Sequence, residues 1–145
     1  MKKMNNKGFS LIELIIVIAI MAILVAIIAP NLTKYLGKSK KNTDKKNADE
    51  IAQQIQTSIS DYESQDDASG INTGFSISWS SSGASCSVGA APTGGQSLQD
   101  ILNSNITSST KSKENNSYAT ASITYNSTKL AYEITVTVGN ASVKK

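Results

Sequence analysis

The chain has no histidine and no arginine, a single cysteine, two prolines and only 6% aromatic residues. Each shortage excludes something. Without histidine there is no imidazole to serve as acid, base or metal ligand near neutral pH. With Cys86 alone no intrachain disulfide can form, and the residue reads as a small, partly buried strand side chain. No Gly-rich phosphate loop, no cysteine beside a base and no cluster of metal ligands is present, so the pattern indicates no enzyme, no cofactor and no metal. A basic nucleic-acid footprint is weak too. The formal charge of +3 comes from Lys2, Lys3 and Lys7, without which the 14 basic residues fall to 11, equal to the 11 acids.

What is present is unevenly spread. Hydrophobic residues make up an ordinary 39%, yet residues 14–29 contain nothing polar, and the remainder is rich in Ser, Thr, Asn and Lys. Residues 9–29 are long enough to cross a bilayer once as a helix. A secretory signal would end its apolar run at a small-x-small cleavage site. Ala19, Ala22, Ala26 and Ala29 are spaced by three and four, and Pro30 follows at once, so the segment reads as retained. Lys2, Lys3 and Lys7 place the short end in the cytoplasm, but Lys34, Lys38, Lys40 and Lys41 crowd the other end. Charge alone therefore does not set the orientation.

The string Lys7-Gly8-Phe9-Ser10-Leu11-Ile12-Glu13 is more specific. A basic leader ending in Gly, then Phe, then Glu four residues on, then a long apolar run, resembles the prepilin signature of type IVa-like pilins. The resemblance covers roughly residues 1–60, and Pro30 stands where the family often carries proline. It implies that a prepilin peptidase cuts between Gly8 and Phe9 and methylates the new amine of Phe9. It also implies a partner for Glu13. A carboxylate in an apolar helix costs about 2.5–3.5 kcal/mol on insertion scales. The family supplies the Phe9 amine of a neighbouring subunit, met on docking. A plainer reading stands beside this one: Ser10-x-x-Glu13 is a capping box, and an acid in the first turn suits the helix dipole. For the apolar run the plain reading is a generic signal anchor, which leaves Glu13 and the short leader unexplained. Many Gram-negative pilins close a C-terminal loop with a disulfide, which this chain cannot do. Lys, Asn and Ile usage without Arg points to a Gram-positive source.

Beyond the apolar run, Pro30 removes an N–H and crowds the preceding turn, and Gly37 is a second weak point, so a helix should break or loosen there. In family terms this is where the helix stretches in the filament. Ala48, Ile51, Ala52, Ile55, Ile59 and Tyr62 recur at three- and four-residue steps, the stripe of an amphipathic helix. Residues 9–62 are thus expected to form a single helix, about 80 Å at 1.5 Å per residue. Lys34, Lys38, Lys40, Lys41, Lys45 and Lys46 form a basic girdle. It reads either as a solvated face near lipid headgroups or as a docking surface for Asp49, Glu50, Asp61 or Glu63 of other subunits. DNA binding by the girdle is weakly supported, since only Tyr35 interleaves for stacking. Asp61, Glu63, Asp66 and Asp67 cluster at the helix end without calcium-loop spacing and read as a solvated exit.

Phe75, Ile77 and Trp79 alternate, predicting a strand over residues 74–80. Residues 81–95 read as loop with a short strand near residues 86–88. Ser97-x-x-Asp100 predicts a capped short helix. Ala119, Ala121, Ile123 and Tyr125, a turn at residues 126–128, then Leu130, Tyr132, Ile134, Val136 and Val138 predict a β-hairpin. Asn-x-Ser/Thr triplets at Asn105 and Asn126 carry little weight in so Ser/Thr/Asn-rich a chain.

The expected fold is α+β: a long N-terminal helix packed against a small antiparallel sheet without a disulfide. Its parts are a cleaved leader (1–8), a transmembrane and filament-core helix (9–29), its amphipathic continuation (30–62) and a β-rich head (63–145). The family implies a major pilin serving adhesion or motility, assembled as a helical homo-oligomer. Its implied partners are prepilin peptidase, an assembly ATPase, a platform protein and, before assembly, membrane lipid; it names no surface receptor. The subunit would start as a single-pass protein of the cytoplasmic membrane, N-terminus inside, and end in a surface pilus. A minor pilin or pseudopilin of a secretion or competence system shares the N-terminal signature. A signal-anchored binding module using residues 64–95 is the reading from another class.

Overall fold

A computed structural model of the chain describes residues 9–66, 71, 73–86, 93–107 and 110–145. The leader, Asp67 and Val88 lie outside them. Two compact units are present, Met1–Lys38 and Ser39–Lys145. Helix α1 (Leu11–Glu63) begins in the first. There it runs unbroken through Pro30 and Gly37. Pro30 has no N–H for the Ala26 carbonyl, and the side chains beside it turn to the backbone instead. Asn31 Nδ2 donates to Ile27 O at 3.4 Å, and Thr33 Oγ1 donates to Pro30 O at 3.1 Å.

In the second unit the last turns of α1 bury Ala48, Ile51, Ala52, Ile55, Ile59 and Tyr62, the stripe expected from their spacing. Each fully buried Ile stabilises the fold by about 2–3 kcal/mol. They join one core with the inner face of a five-stranded antiparallel sheet of order β2-β1-β3-β4-β5. Its strands are β1 (Phe75–Ser80), β2 (Gly83–Cys86), β3 (Thr120–Asn126), β4 (Ala131–Val138) and β5 (Ala141–Lys144). Period-two alternation sets the faces. Phe75, Ile77 and Trp79 point inward with Ala121, Ile123, Ile134, Val136 and Val138. Ser76, Ser78, Ser122 and Thr124 stand outward. Helix α2 (Leu98–Asn105) is capped as expected: Ser97 is the N-cap and its side chain accepts from the Asp100 N–H.

Three details depart from expectation. The short strand in the Ser/Gly-rich region is Gly83–Cys86, starting before residue 86, because Ser81 and Ser82 form a tight turn that pairs it straight back onto β1. Leu130 is not the first residue of the return strand. It sits in the turn at φ +50 with its side chain 78% exposed, and β4 starts at Ala131. The closing strand β5 has no signal in the sequence, because its four residues ASVK show a single strong apolar side chain.

Candidate functional site

In the first unit the helix start is built by residues 10–14. Ser10 N–H donates to Glu13 Oε2 at 2.8 Å and Leu14 N–H donates to Ser10 O at 3.3 Å. This is the carboxylate half of a capping box. It engages only one of the two Glu13 oxygens. Phe9, immediately before, is 92% exposed, and Gly8 lies outside the described residues. From Phe9 to Leu36, eighteen large apolar side chains are exposed. Soluble monomers rarely leave more than a few hundred Å² of contiguous apolar surface in water, so this column has to be covered by lipid or by other helices. It is the one helix among the described residues long and apolar enough to cross a membrane. Gly37 is not demanded by packing, since a Cβ there would meet nothing within 4 Å.

The second unit holds a residue that periodicity should have flagged. Asp44 lies four residues before Ala48 on the apolar stripe, and it is fully buried. Its Oδ1 accepts from Lys113 N–H at 2.7 Å, and its Oδ2 accepts from Ser112 Oγ at 2.6 Å and Glu114 N–H at 3.2 Å. Burial works against ionisation here. The hydrogen bonds from Ser112, Lys113 and Glu114, with the Lys113 charge, outweigh it and hold the carboxyl below its ordinary value. The carboxylate ties α1 to the segment that turns over residues 112–116. The β4–β5 turn closes against the same point: Gly139 has φ +61, and a Cβ on it would run into Ser112 Oγ, with Ser112 Cβ at 2.9 Å. Ser112 is held by Asp44 and cannot swing aside. Gly139→Ala is therefore expected to destabilise the head by about 1–3 kcal/mol, read as a lowered thermal midpoint of the full chain in detergent.

The acids considered as docking partners for other subunits all have partners inside the subunit. Asp49 pairs with Lys145 at 3.1 Å and Glu50 with Lys46 at 3.6 Å. Asp61 Oδ2 accepts from Asn105 Nδ2 at 2.8 Å, and Glu63 Oε1 accepts from Tyr132 Oη at 2.6 Å. Burial and that bond to Glu63 push the Tyr132 phenol above its ordinary value. Asn105, the first residue of one Asn-x-Ser/Thr triplet, spends its amide on Asp61 and Ser58. Lys144, helped by Lys129, holds Glu133 below the usual carboxylate range. Among the described residues no three His, Cys, Asp or Glu side chains converge as metal ligands.

These features define a class: an α+β protein with a long, exposed, apolar N-terminal helix that opens with a carboxylate, followed by a small antiparallel sheet without a disulfide. Residues 3–29 match the prokaryotic N-terminal methylation motif. Over 101 residues the chain is 36% identical to prepilin peptidase-dependent protein A of Clostridium perfringens, covering 69% of each chain. It is 51% identical over 43 residues to the type IV major pilin protein PilA of Myxococcus xanthus, 30% of this chain and 20% of that one. It is 34% identical over 64 residues to a ComG operon protein 3 homolog of Bacillus licheniformis, 44% of this chain and 62% of that one. No solved structure matches the chain. The chain belongs to the type IV pilin-like family of prepilin peptidase-dependent proteins.

Proposed function

We propose that this chain is the precursor of a major pilin, cut between Gly8 and Phe9, methylated on the Phe9 amine and assembled into a surface filament. The observation that carries the reading is the apolar column from Phe9 to Leu36 with one carboxylate, Glu13, near its start. An exposed column of that size suits two environments in succession, a bilayer before assembly and a bundle of identical helices after it. Glu13 then has two tasks. Its Oε2 caps Ser10, and its Oε1 is open to the methylated amine of a neighbouring Phe9. Neutralising both charges inside an apolar bundle sets the axial position of each added subunit. Pro30 and Gly37 are the helix break of that assembled state: a missing hydrogen bond and a glycine that packing does not require lower the cost of stretching there. The membrane form is single-pass with the leader in the cytoplasm. Prepilin peptidase processes it, and an assembly ATPase and platform protein extract it.

A second reading, a minor pilin or pseudopilin of a secretion or competence system, draws support from the likeness to the ComG operon protein 3 homolog. The experiment that separates the readings is intact-mass and N-terminal peptide mass spectrometry on filaments sheared from cells. The expected result is a dominant species beginning at methylated Phe9. A trace of the same species would favour the minor pilin. A chain retained in membranes with Met1–Gly8 attached would replace both readings with a signal-anchored binding module.

A further inference from the structure

Lysines and carboxylates are segregated along residues 40–110 of the second unit. Lys40, Lys41, Lys45 and Lys46 stand at its start, and residues 47–110 contain no lysine but hold seven acids. Internal pairing leaves each end with charge to spare. Lys46 and Lys145 are used on Glu50 and Asp49, while Lys41 and Lys45 make no ion pair among the described residues. At the other end Asp61 and Glu63 are held by Asn105 and Tyr132, neutral donors that fix the carboxylates without cancelling them, while Lys129, beside Leu130, is used on Glu133 together with Lys144.

Shape follows the same division. At the lysine end a recess of about 390 Å³ lies between α1 and β5, floored by Val143 and edged by Asn42, Lys45, Lys46 and Asp49. Lys41 and Lys45 also line a neighbouring cavity with Asn140 and Ser142. At the acid end Leu130 projects beside Glu63 and Tyr132. Leu130 is expensive on two counts. It exposes 78% of its surface, and it adopts φ +50 in a hairpin turn where Gly or Asn would sit without strain. Folding of the subunit does not require it.

We propose that these ends are two halves of one contact between copies of this chain. The Leu130 side chain of one subunit, flanked by its Glu63 carboxylate, seats in the Val143 recess of the next, where Lys41 and Lys45 face the carboxylate. This rests on the filament reading and assigns it a head-to-head surface. The occupant is a second copy because the same subunit carries a projecting apolar side chain with negative charge and an apolar recess with positive charge. The two patches differ, so the contact does not close on itself after two subunits but repeats into an open chain. Lys45 and Glu63 are about 27 Å apart along α1 at 1.5 Å per residue, so parallel copies offset by that distance bring one end against the other.

The test uses the full-length chain assembled on cells. Filaments of a Leu130→Cys, Val143→Cys double variant are oxidised with copper phenanthroline and run on a non-reducing gel. The two positions are too far apart to bridge within one subunit. The expected result is a ladder of dimers, trimers and longer species, with each single variant matching the wild-type chain and its lone Cys86. Intact filaments with no ladder, or with dimers alone, overturn the contact and leave the filament reading standing. If the wild-type chain forms no filament, both fall. A charge exchange covers the case in which the cysteine pair fails to assemble. Lys45→Glu and Glu63→Lys should each lower sheared pilin about tenfold, and the double variant should restore it. Restoration supports the contact, since a folding defect at either site would not be repaired by the other; failure to restore, with both single variants and the double variant keeping the wild-type thermal midpoint, overturns it.

Discussion

Glu13→Gln is expected to leave cleavage after Gly8 intact and to reduce incorporation into filaments by about a hundredfold or more. Gln keeps an amide oxygen that can accept from Ser10 N–H, so the helix start found here survives. What is lost is the charge. A buried amine whose partner has been removed costs about 3–5 kcal/mol, and every 1.4 kcal/mol is a factor of ten. Glu13→Ala loses both the cap and the charge, yet a cap contributes only about 1 kcal/mol. The comparison therefore separates the two roles. If docking governs assembly, Gln and Ala are almost equally defective. If Glu13 only starts the helix, Gln assembles normally. The measurement is the amount of processed subunit in the sheared fraction against the membrane fraction, with the peptide beginning at Phe9 monitored in both. Normal filaments from Glu13→Gln would remove the docking role.

Asp44→Ala is expected to destabilise the head by about 3 kcal/mol, because it strands the Lys113 N–H, and partly the Ser112 hydroxyl, in a buried site. For a unit of this size that corresponds to a fall in thermal midpoint on the order of 15 °C. Asp44→Asn should recover little. Its Nδ2 is a donor placed among donors, so at least one of the three hydrogen bonds becomes a clash. The pH dependence has a definite sign. The folded carboxyl titrates below its ordinary 3.8, so its contribution is complete above that value and is lost as pH falls through the lower folded one. Thermal unfolding of the full chain in detergent at pH 7 and near pH 3 should show the gap between wild type and Asp44→Ala narrowing in acid. A gap that stays constant would mean the carboxylate's charge contributes nothing.

The anchor was legible only in part. Asp44 interrupts the stripe that Ala48 and Ile51 continue, and an acid at a core position of a helix is a signal that it has a buried partner. Which partner could not be read. Ser112, Lys113 and Glu114 are 68–70 residues away, in a stretch with no apolar periodicity. Asp61 and Glu63 show the same limit. As sequence they look like plain surface acids, and only the positions of Asn105 and Tyr132 reveal that a neutral donor within the subunit fixes each carboxylate in place.

Much of what depends on neighbours a few residues apart is legible in the chain. The membrane-length apolar run, the helical stripe to Tyr62, the Ser97 cap and the alternation of β1, β3 and β4 are short-range patterns, and the structure has them where the spacing places them, Leu130 excepted. Tertiary structure decided what depends on distance in the chain. It fixed the strand order with β2 and β5 at the edges, the displacement of Leu130 into the turn, the glycine at 139 beneath Ser112, and the closure of the head onto Asp44. Those are matters of which surfaces meet, and the energies that choose them come from burial and satisfied hydrogen bonds between segments whose own sequences carry no mark of each other.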